Sequence, residues 1–315
     1  MKAAEAQRRK DDRTANYYEH YTPPATRLEE GFRHTHWRKR REKVKAALAR
    51  TGSGEIAKER FSACGSDARV EWNEEKKKYR IKANYCHHRH CEPCAKAKAN
   101  RIAANLKDRL EENPNEKFRF ITLTQRSNDA PLAQQIATLY RNFKKLRNTR
   151  LWKQTQVGGA FFLEVKRNGN HWHAHLHVIA AGAFIRVHEL SAEWMKVTGD
   201  SFIVDVRLIN SANDAAFYVT KYLAKGTSPE VWLQDDTAEE WITASKGVRT
   251  CATYGTWRGF KLMEPRPDNG TWTMIEKLDT LISRSLTGDA EACAILKELL
   301  PSRDDQDAIN IFNPD

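Results

Sequence analysis

The sequence predicts an α+β protein built around an antiparallel sheet with helices on one face. Three observations support this class. Four β-rich runs and two amphipathic helices follow the order β-α-β-β-α-β between residues 117 and 209. The two middle strands are separated by Asn168-Gly169, a dipeptide typical of a two-residue hairpin turn. The complete order is that of the ferredoxin-like fold, in which both helices pack on the same face of the sheet.

Each element follows from a local pattern. The helix in residues 130–149 has Ile136, Leu139 and Phe143 on one face, and the next helix ends at Gly199. A further helix is predicted in SANDAAFYVTKYLAKG, where Ser and Asn favour the start of a helix and the final glycine favours its end. The strands are KFRFITLTQ (117–125), two runs within GGAFFLEVKRNGNHWHAHLHVIAAG (158–182) and SFIVDVRLI (201–209).

Charge is unevenly distributed along the chain. The net charge is +12, and residues 1–60 hold 16 Lys and Arg against 9 Asp and Glu. A basic segment with scattered aromatic residues suits nucleic acid, although a basic solvated face is an equal alternative. No apolar run is long enough for a membrane span and none resembles a signal peptide, so we expect a cytoplasmic protein with no membrane partner.

Four segments are predicted. We expect a mobile basic arm over residues 1–30 and an acidic tail near the end of the chain. The segments are the arm (1–30), a basic helix with a zinc-binding module and a linking helix (31–116), the catalytic domain (117–226) and a partly helical C-terminal extension (227–315).

Alternating histidines mark the second strand of the hairpin. Every second side chain of a strand points to the same face, so His173, His175 and His177 share one. Two imidazoles at positions i and i+2 can hold a divalent cation between them. The competing interpretation is a half-buried strand that turns polar side chains to solvent. His171 lies beside the turn and needs no other role.

The first strand of the hairpin supplies a candidate third ligand. If Asn168 and Gly169 are the turn residues, the register places Glu164 opposite His173 and on the histidine face. Two histidines and a carboxylate leave coordination positions open for water or a substrate oxygen, which is typical of a catalytic metal site. A three-residue turn would move Glu164 to the other face.

Two tyrosines follow the last predicted strand. Tyr218 and Tyr222 are four residues apart and share a helix face, with Lys221 and Lys225 beside them. Such a pair is commonly a packing contact. A tyrosine hydroxyl, with an ordinary pKa of about 10, can instead form a covalent intermediate when cations stabilise charge on the phosphate it attacks. Lys221 or Lys225 could contact that phosphate or stabilise the phenolate.

Four of the six cysteines lie in one segment. Cys91 and Cys94 form a CxxC pair, Cys86 precedes them, and Cys64 lies upstream. Four thiolates complete the tetrahedral shell of a structural Zn²⁺ site. The stretch between Cys64 and Cys86 alternates like a small hairpin, so we predict a zinc-ribbon-like module.

Two alternatives to this module stay open. In a mixed ligand set, His87, His88 or His90 replaces a thiol; a redox CxxC is weaker, because no thioredoxin-like βαβ unit surrounds it. Basic residues such as Lys76–Lys78 and Arg80 suit contact with duplex DNA, whereas the module could equally serve only to stabilise the fold.

The motifs together resemble those of the HUH endonucleases. HAHLHV is similar to their His-hydrophobe-His motif, FITLT to their first motif, and YVTKY to the Tyr-x-x-Lys-Tyr signature of two-tyrosine members. NYCHHRHCEPCAKAKANRIA resembles the cysteine-rich segment of many plasmid initiators. The resemblance covers about residues 40–260 and is closest to rolling-circle replication initiators of plasmids (Rep proteins) and of single-stranded DNA phages.

The resemblance implies an HUH endonuclease fold and an origin-specific nickase in a bacterial cytoplasm. One tyrosine would attack a phosphodiester of single-stranded DNA, keep the 5′-phosphate and free a 3′-OH. It implies Tyr222 as the nucleophile and Tyr218 as the second tyrosine, where some plasmid relatives have a glutamate. The implied ligands of a catalytic Mg²⁺ or Mn²⁺ are His175, His177 and Glu164.

Some roles stay open under the resemblance. His173 is either a further ligand or a group that supports the ligands. Two imidazoles suit Mn²⁺ or Zn²⁺ better than Mg²⁺. The implied partners are origin DNA, single-stranded at the nick and duplex at the zinc module, together with a host polymerase and helicase. A host helicase is expected because no GxxxxGK[ST] motif occurs in the sequence.

Two other functions compete with an initiator. An IS91- or Helitron-like transposase uses the same tyrosines for strand transfer, but such chains usually carry a further DNA-binding segment or a helicase. A non-enzymatic zinc-ribbon DNA-binding regulator belongs to a different class.

Overall fold

The computed structural model describes residues 35–215, 229–265, 268 and 270–299. The predicted arm (1–30), both tyrosines with their neighbouring lysines, and the acidic tail (301–315) lie outside the described residues.

The described elements agree with the predicted strands and helices in kind. The basic helix predicted at the start of the 31–116 segment is instead two helices, α1 and α2. In chain order the elements are α1 (Thr35–Arg50), α2 (Glu55–Ala63), β1 (Arg69–Asn73), β2 (Lys78–Lys82), α3 (Glu92–Glu111), β3 (Phe118–Thr124), α4 (Leu132–Leu146), α5 (Arg150–Thr155), β4 (Gln156–Asn168), β5 (His171–Gly182), α6 (Val187–Thr198), β6 (Val204–Ile209), a 3-10 turn (Pro229–Trp232), α7 (Asp235–Ser245), β7 (Cys251–Gly255), β8 (Trp272–Lys277), α8 (Leu278–Leu286) and α9 (Ala290–Leu299).

The larger sheet has five strands in the order β6-β3-β5-β4-β7, and every pair is antiparallel. Without β7, this is the order of a ferredoxin-like sheet, which confirms the predicted α+β fold class. Strand β7 was not predicted. It pairs with the outer edge of β4 and so covers an edge that would otherwise expose unpaired backbone groups.

Both helices of the ferredoxin-like repeat pack on one face of the sheet, as predicted. Leu139 and Phe143 of α4 and Trp194 of α6 join one buried cluster with Leu176 and Val178 of β5. The other face, toward the end of β5, is covered by α3 and the segment around Trp257. The sheet is therefore buried on both faces along part of its length.

The hairpin turn lies one residue later than the sequence predicted. Asn168 pairs with His171, so Gly169 and Asn170 are the turn residues. Gly169 has φ +56° and occupies the first central position, where a type II′ turn favours glycine. The predicted pairing of Glu164 with His173 is therefore wrong: Glu164 pairs with His175. A shift of two positions in register leaves every side chain on its predicted face.

The described chain divides into two compact units, neither of which is continuous in sequence. The larger contains the five-stranded sheet and the four clustered cysteines. The smaller joins residues 67–83, from the predicted zinc module, with residues 271–299 of the predicted C-terminal extension. The predicted hairpin of that module is present as β1 and β2, and it pairs with β8. The four segment boundaries proposed from the sequence stay a prediction.

The smaller unit has its own core. Val70 of β1 packs with Leu281 of α8 and with Ile295 and Leu299 of α9. The antiparallel ladder runs β2-β1-β8. In the part of the chain that the structure describes, no helix combines the length and apolar character that crossing a bilayer requires.

A carboxylate of α7 joins three elements of the larger unit. Glu240 accepts hydrogen bonds from the backbone N–H of Leu132, at the start of α4 (2.8 Å), and from Nε1 of Trp172 in β5 (2.7 Å). Trp172 is 3% exposed, so its indole N–H depends on this partner.

We expect Glu240→Ala to lower the free energy of unfolding by about 2 kcal/mol, since it leaves a buried N–H unpaired. Urea unfolding followed by circular dichroism measures this. Glu239→Ala is the matched control, because Glu239 pairs with Arg50 at the surface, where solvent screening leaves such a pair little effect on stability. Equal losses in the two variants would contradict the bridging role.

Candidate functional site

The histidines lie where one face of the sheet changes from apolar to polar. Along β5 that face carries Ala181 and Ile179, both fully buried, and then His177, His175 and His173. The alternation predicted from the sequence places all three imidazoles together. The polar end of this face can admit a hydrophilic substrate, while the apolar end fixes the sheet against α3.

Glu164 and His177 form the buried part of the site. Nε2 of His177 lies 3.0 Å from Oε2 of Glu164, and the two residues are 3% and 4% exposed. Nζ of Lys166, one pleat farther along β4, lies 3.1 Å from the same carboxylate oxygen. A carboxylate buried to this extent needs such partners to offset its desolvation.

Two threonines of β3 orient the imidazoles. Thr122 pairs with His177 and Thr124 with His175 across the β3–β5 ladder. Their Oγ1 atoms lie 3.1 Å and 3.2 Å from Nδ1 of His177 and His175, respectively. At His175 this leaves Nε2 as the ligand nitrogen, the arrangement by which outer groups orient metal-binding histidines. Nε2 of His177 faces Glu164, so a cation bound there would take the place of that hydrogen bond.

The sequence analysis did not assign a role to these threonines. The signal was present, because FITLT places Thr122 and Thr124 on alternate positions of a strand. Only the pairing of β3 with β5, which spans more than fifty residues of chain, brings them opposite the histidines.

His173 has different surroundings. It pairs with Lys166, and its ring nitrogens lie 2.8 Å and 3.1 Å from Oγ of Ser127. Its ring is stacked on that of His175 with centroids 6.3 Å apart. His173 therefore lies at the outer end of the histidine row, beside a cation rather than a carboxylate.

The charge states suit a cation. Burial is the main cause that lowers the pKa of His175 to about 4, so its imidazole is neutral near pH 7. Burial raises the pKa of Glu164, but the hydrogen bond and charge of His177 and the charge of Lys166 outweigh it, and the net shift is downward. A neutral imidazole and an ionised carboxylate are the protonation states that metal ligands require.

Glu164, His175 and His177 share a face but do not form a closed cage. Among the described residues, the four cysteines are the set whose ligand atoms all lie within 4.8 Å of one another. The donor set of two imidazoles and one carboxylate fits a divalent ion with open coordination positions.

A helical turn at residues 212–215, just before the tyrosines in sequence, packs on the histidine face. Ser211 and Asp214 cap it reciprocally, with N–H to Oδ2 and N–H to Oγ distances of 3.1 Å each. Ala215, fully buried, packs in the same cluster as Phe120 and Ile179 of that face. Four predicted site residues that follow lie outside the described residues: Tyr218, Lys221, Tyr222 and Lys225.

The four predicted cysteines are brought together. Sγ of Cys64 lies 3.6 Å from Sγ of both Cys91 and Cys94, and Sγ of Cys86 lies 3.7 Å from that of Cys94. Zinc–sulfur bonds of about 2.3 Å in a tetrahedron place sulfur atoms about 3.8 Å apart. The cluster could therefore hold a metal such as zinc, which agrees with the predicted site.

Local structure positions each thiol. Cys64 follows the end of α2, Cys91 is the N-cap of α3, and Cys94 lies in the first turn of that helix. The backbone N–H of His88 donates to Sγ of Cys86 at 3.4 Å. Hydrogen bonds with the other thiols lower the pKa of Cys64, and the bond with Cys86 has the largest effect. Hydrogen bonds with Cys64 raise the pKa of Cys91 and Cys94, so four thiolates need a bound cation.

Two of the three histidines that could have replaced a thiol, His88 and His90, have other contacts. Nε2 of His90 lies 3.1 Å from Oγ of Ser245, and its ring packs edge-on against Trp232 and Trp241. The ring of His88 packs edge-on against Phe61. These contacts favour the four-thiol set over the mixed one.

The sheet order and the histidine face define an α+β protein of ferredoxin-like topology. A family model described as a replication protein, Rep_1, matches residues 76–276 of the 315. The chain therefore belongs to the Rep_1 replication protein family, which confirms the resemblance to plasmid rolling-circle replication initiators. Membership implies that the chain binds origin DNA. No match was found among curated proteins or among solved structures.

Loss of one cysteine should release the metal. We expect Cys91→Ser to lose most of the bound zinc and to lower the midpoint of thermal unfolding by at least about 5 °C. Elemental analysis and calorimetry of the purified chain measure both. Cys293→Ser, which alters an exposed thiol of the smaller unit, should change neither. Retention of the metal by Cys91→Ser would contradict the four-thiol site.

The lowered pKa of His175 predicts a pH dependence of stability. An unfolded histidine has a pKa of about 6.5, whereas that of folded His175 is about 4. Between these values the unfolded chain binds more protons, so stability rises with pH across that window and levels off above it.

We expect His175→Gln to flatten part of this rise in urea unfolding of the metal-free protein at pH 4.5, 5.5 and 6.5. The control His188→Gln alters an exposed histidine and should keep the wild-type slope. Identical slopes for both variants would show that His175 titrates normally.

Proposed function

We propose that the chain is a plasmid rolling-circle replication initiator that nicks and rejoins single-stranded origin DNA through a phosphotyrosine. One observation carries the proposal: Glu164, His175 and His177 share the polar end of a sheet face, and residues 212–215, which precede the tyrosines in sequence, pack on the same face. Membership of a replication protein family supports it and favours an initiator over a transposase.

Glu164, His175 and His177 would hold the catalytic divalent cation, Mg²⁺ or Mn²⁺. That ion supplies Lewis-acid stabilisation of charge on the scissile phosphate. Thr122 and Thr124 orient the imidazoles through Nδ1, and Lys166 contributes positive charge beside Glu164. The site thus concentrates positive charge where the phosphodiester becomes more negative during attack.

The covalent step is assigned to the tyrosines. The hydroxyl oxygen of Tyr222 attacks the phosphorus, the bond to the 3′ oxygen breaks, and the chain keeps the 5′-phosphate while a 3′-OH leaves. After one round, Tyr218 attacks the regenerated origin in the same way, and the 3′-OH that this frees attacks the Tyr222 phosphotyrosine, which joins the displaced strand and releases Tyr222. Lys221 and Lys225 stabilise the phenolate or the phosphate. These four roles come from the sequence pattern and the resemblance.

Duplex DNA is assigned to the smaller unit. The guanidinium carbon of Arg80 lies 3.8 Å from the ring centre of Trp272, and Nζ of Lys76 and Lys78 lie 5.6 Å and 5.9 Å from it. Three cations around one half-buried indole suit a phosphate backbone. The cysteine cluster holds Zn²⁺ in a structural role. A host helicase unwinds the duplex, and a host polymerase extends the freed 3′-OH.

The adduct assay tests the proposal. The full chain, Mn²⁺ and single-stranded DNA from the parent plasmid origin are incubated and resolved on a denaturing gel. We expect a covalent protein–DNA band that Tyr222→Phe abolishes and that Tyr218→Phe retains for the first nick. His177→Ala should reduce the band at least a hundredfold while binding of the DNA persists.

The outcomes separate the hypotheses. Loss of the band in Tyr218→Phe but not in Tyr222→Phe reverses the assignment of the tyrosines. Absence of any adduct from wild-type protein that still binds the origin contradicts the nickase and favours a non-enzymatic regulator. His188→Ala, an exposed histidine outside the site, is the control and should match the wild type.

A further inference from the structure

A cavity in the larger unit lies beside β4. Its volume is about 320 Å³, within the range of small-ligand sites. Leu163 forms part of its floor, and Leu163 and Glu164 point to opposite faces of the strand. Further walls are formed by the first half of α3, by the turn before it, and by the indoles of Trp232 and Trp241.

The cavity is lined by more cations than anions. Arg40, Arg89, Lys98 and Arg101 line it, against the single carboxylate of Glu92. Arg40 pairs with Glu92, and Arg89 donates to two backbone carbonyls. Lys98 and Arg101 have no carboxylate partner within the described part of the chain. The net charge of the walls therefore favours an anion.

Several buried polar atoms in these walls lack a partner. Trp232 and Trp241 are each 3% exposed, and neither indole Nε1 has a hydrogen-bond acceptor among the described residues. The same holds for Nε of Arg40 and Arg101, and Oε2 of Glu92 has no donor. Leaving such groups unpaired is unfavourable, so a ligand that pairs with them would bind favourably.

We propose that this cavity binds one nucleotide, with its phosphate at Lys98 and Arg101 and its base at the indoles and the Arg40–Glu92 pair. An inorganic anion would leave the indole walls and the Glu92 acceptor unused. A base offers both donors and acceptors on its edge and an aromatic face. The nucleotide is either free or part of single-stranded DNA. The second source rests on the proposed function, whereas the chemistry of the cavity does not.

Calorimetric titration of the full chain tests the proposal. The probes are the four deoxynucleoside monophosphates, a ten-nucleotide single strand of mixed sequence, and inorganic phosphate. We expect at least one monophosphate or the strand to bind, and Lys98→Met to weaken that binding at least tenfold. Trp241→Phe, which removes the N–H and keeps an aromatic ring, should weaken it at least threefold.

The matched control is Lys107→Met, which alters a lysine on the same helix outside the cavity. It should change affinity less than twofold. Binding of monophosphates identifies a free nucleotide as a source, and binding of the strand alone identifies DNA.

Three results would overturn the proposal: no binding of any nucleotide probe, equal weakening by Lys98→Met and Lys107→Met, or phosphate binding as tightly as the monophosphates. His188→Ala, which alters an exposed histidine outside the cavity, should bind these probes like the wild type. The calorimetric titration tests nucleotide binding in the cavity, and the adduct assay tests DNA nicking alone. A negative result for one proposal is therefore distinguishable from a negative result for the other.

Discussion

The long pairing of β4 with β5 is the constraint on which the site depends. It fixes Glu164 against His175 and within 3.0 Å of His177, although both Glu164 and His177 are almost fully buried. Burying either group alone would be costly, and each offsets the desolvation of the other. A slip of one residue would turn the histidines into the helix-covered core. Core packing and site geometry therefore enforce the same register.

The cysteine cluster and the histidine row divide two tasks. Cys64, Cys91 and Cys94 belong to the same buried cluster as Leu163, whereas Glu164 faces the other side of the sheet. A metal on four thiolates has no open position, but two imidazoles and a carboxylate leave room for substrate. The first arrangement joins α2 and α3 to the core. The second leaves a polar surface that α3 does not cover.

The parts predicted from sequence are those that local periodicity determines. Alternation identified the histidine face, and glycine identified the end of α6, where Gly199 has φ +84°. Long-range pairing was not predictable: β8 joins β1 across about two hundred residues, and β7 closes the edge of β4 without a distinctive pattern. The threonine contacts to the histidines required the β3–β5 pairing for the same reason.

The corrected turn strengthens the assignment of the ligands. Gly169 could occupy either central position of a two-residue turn, and the two choices differ by two positions in register. Both keep Glu164 on the histidine face, which is why the face was predicted correctly and the partner was not. The observed choice sets Lys166 opposite His173 and Glu164 opposite His175. The carboxylate of Glu164 favours a cation at His175 and His177, and Lys166 offsets part of that effect because its Nζ lies 3.1 Å from the same carboxylate. The register of the hairpin therefore supports the proposal that His175 and His177, together with Glu164, hold the cation.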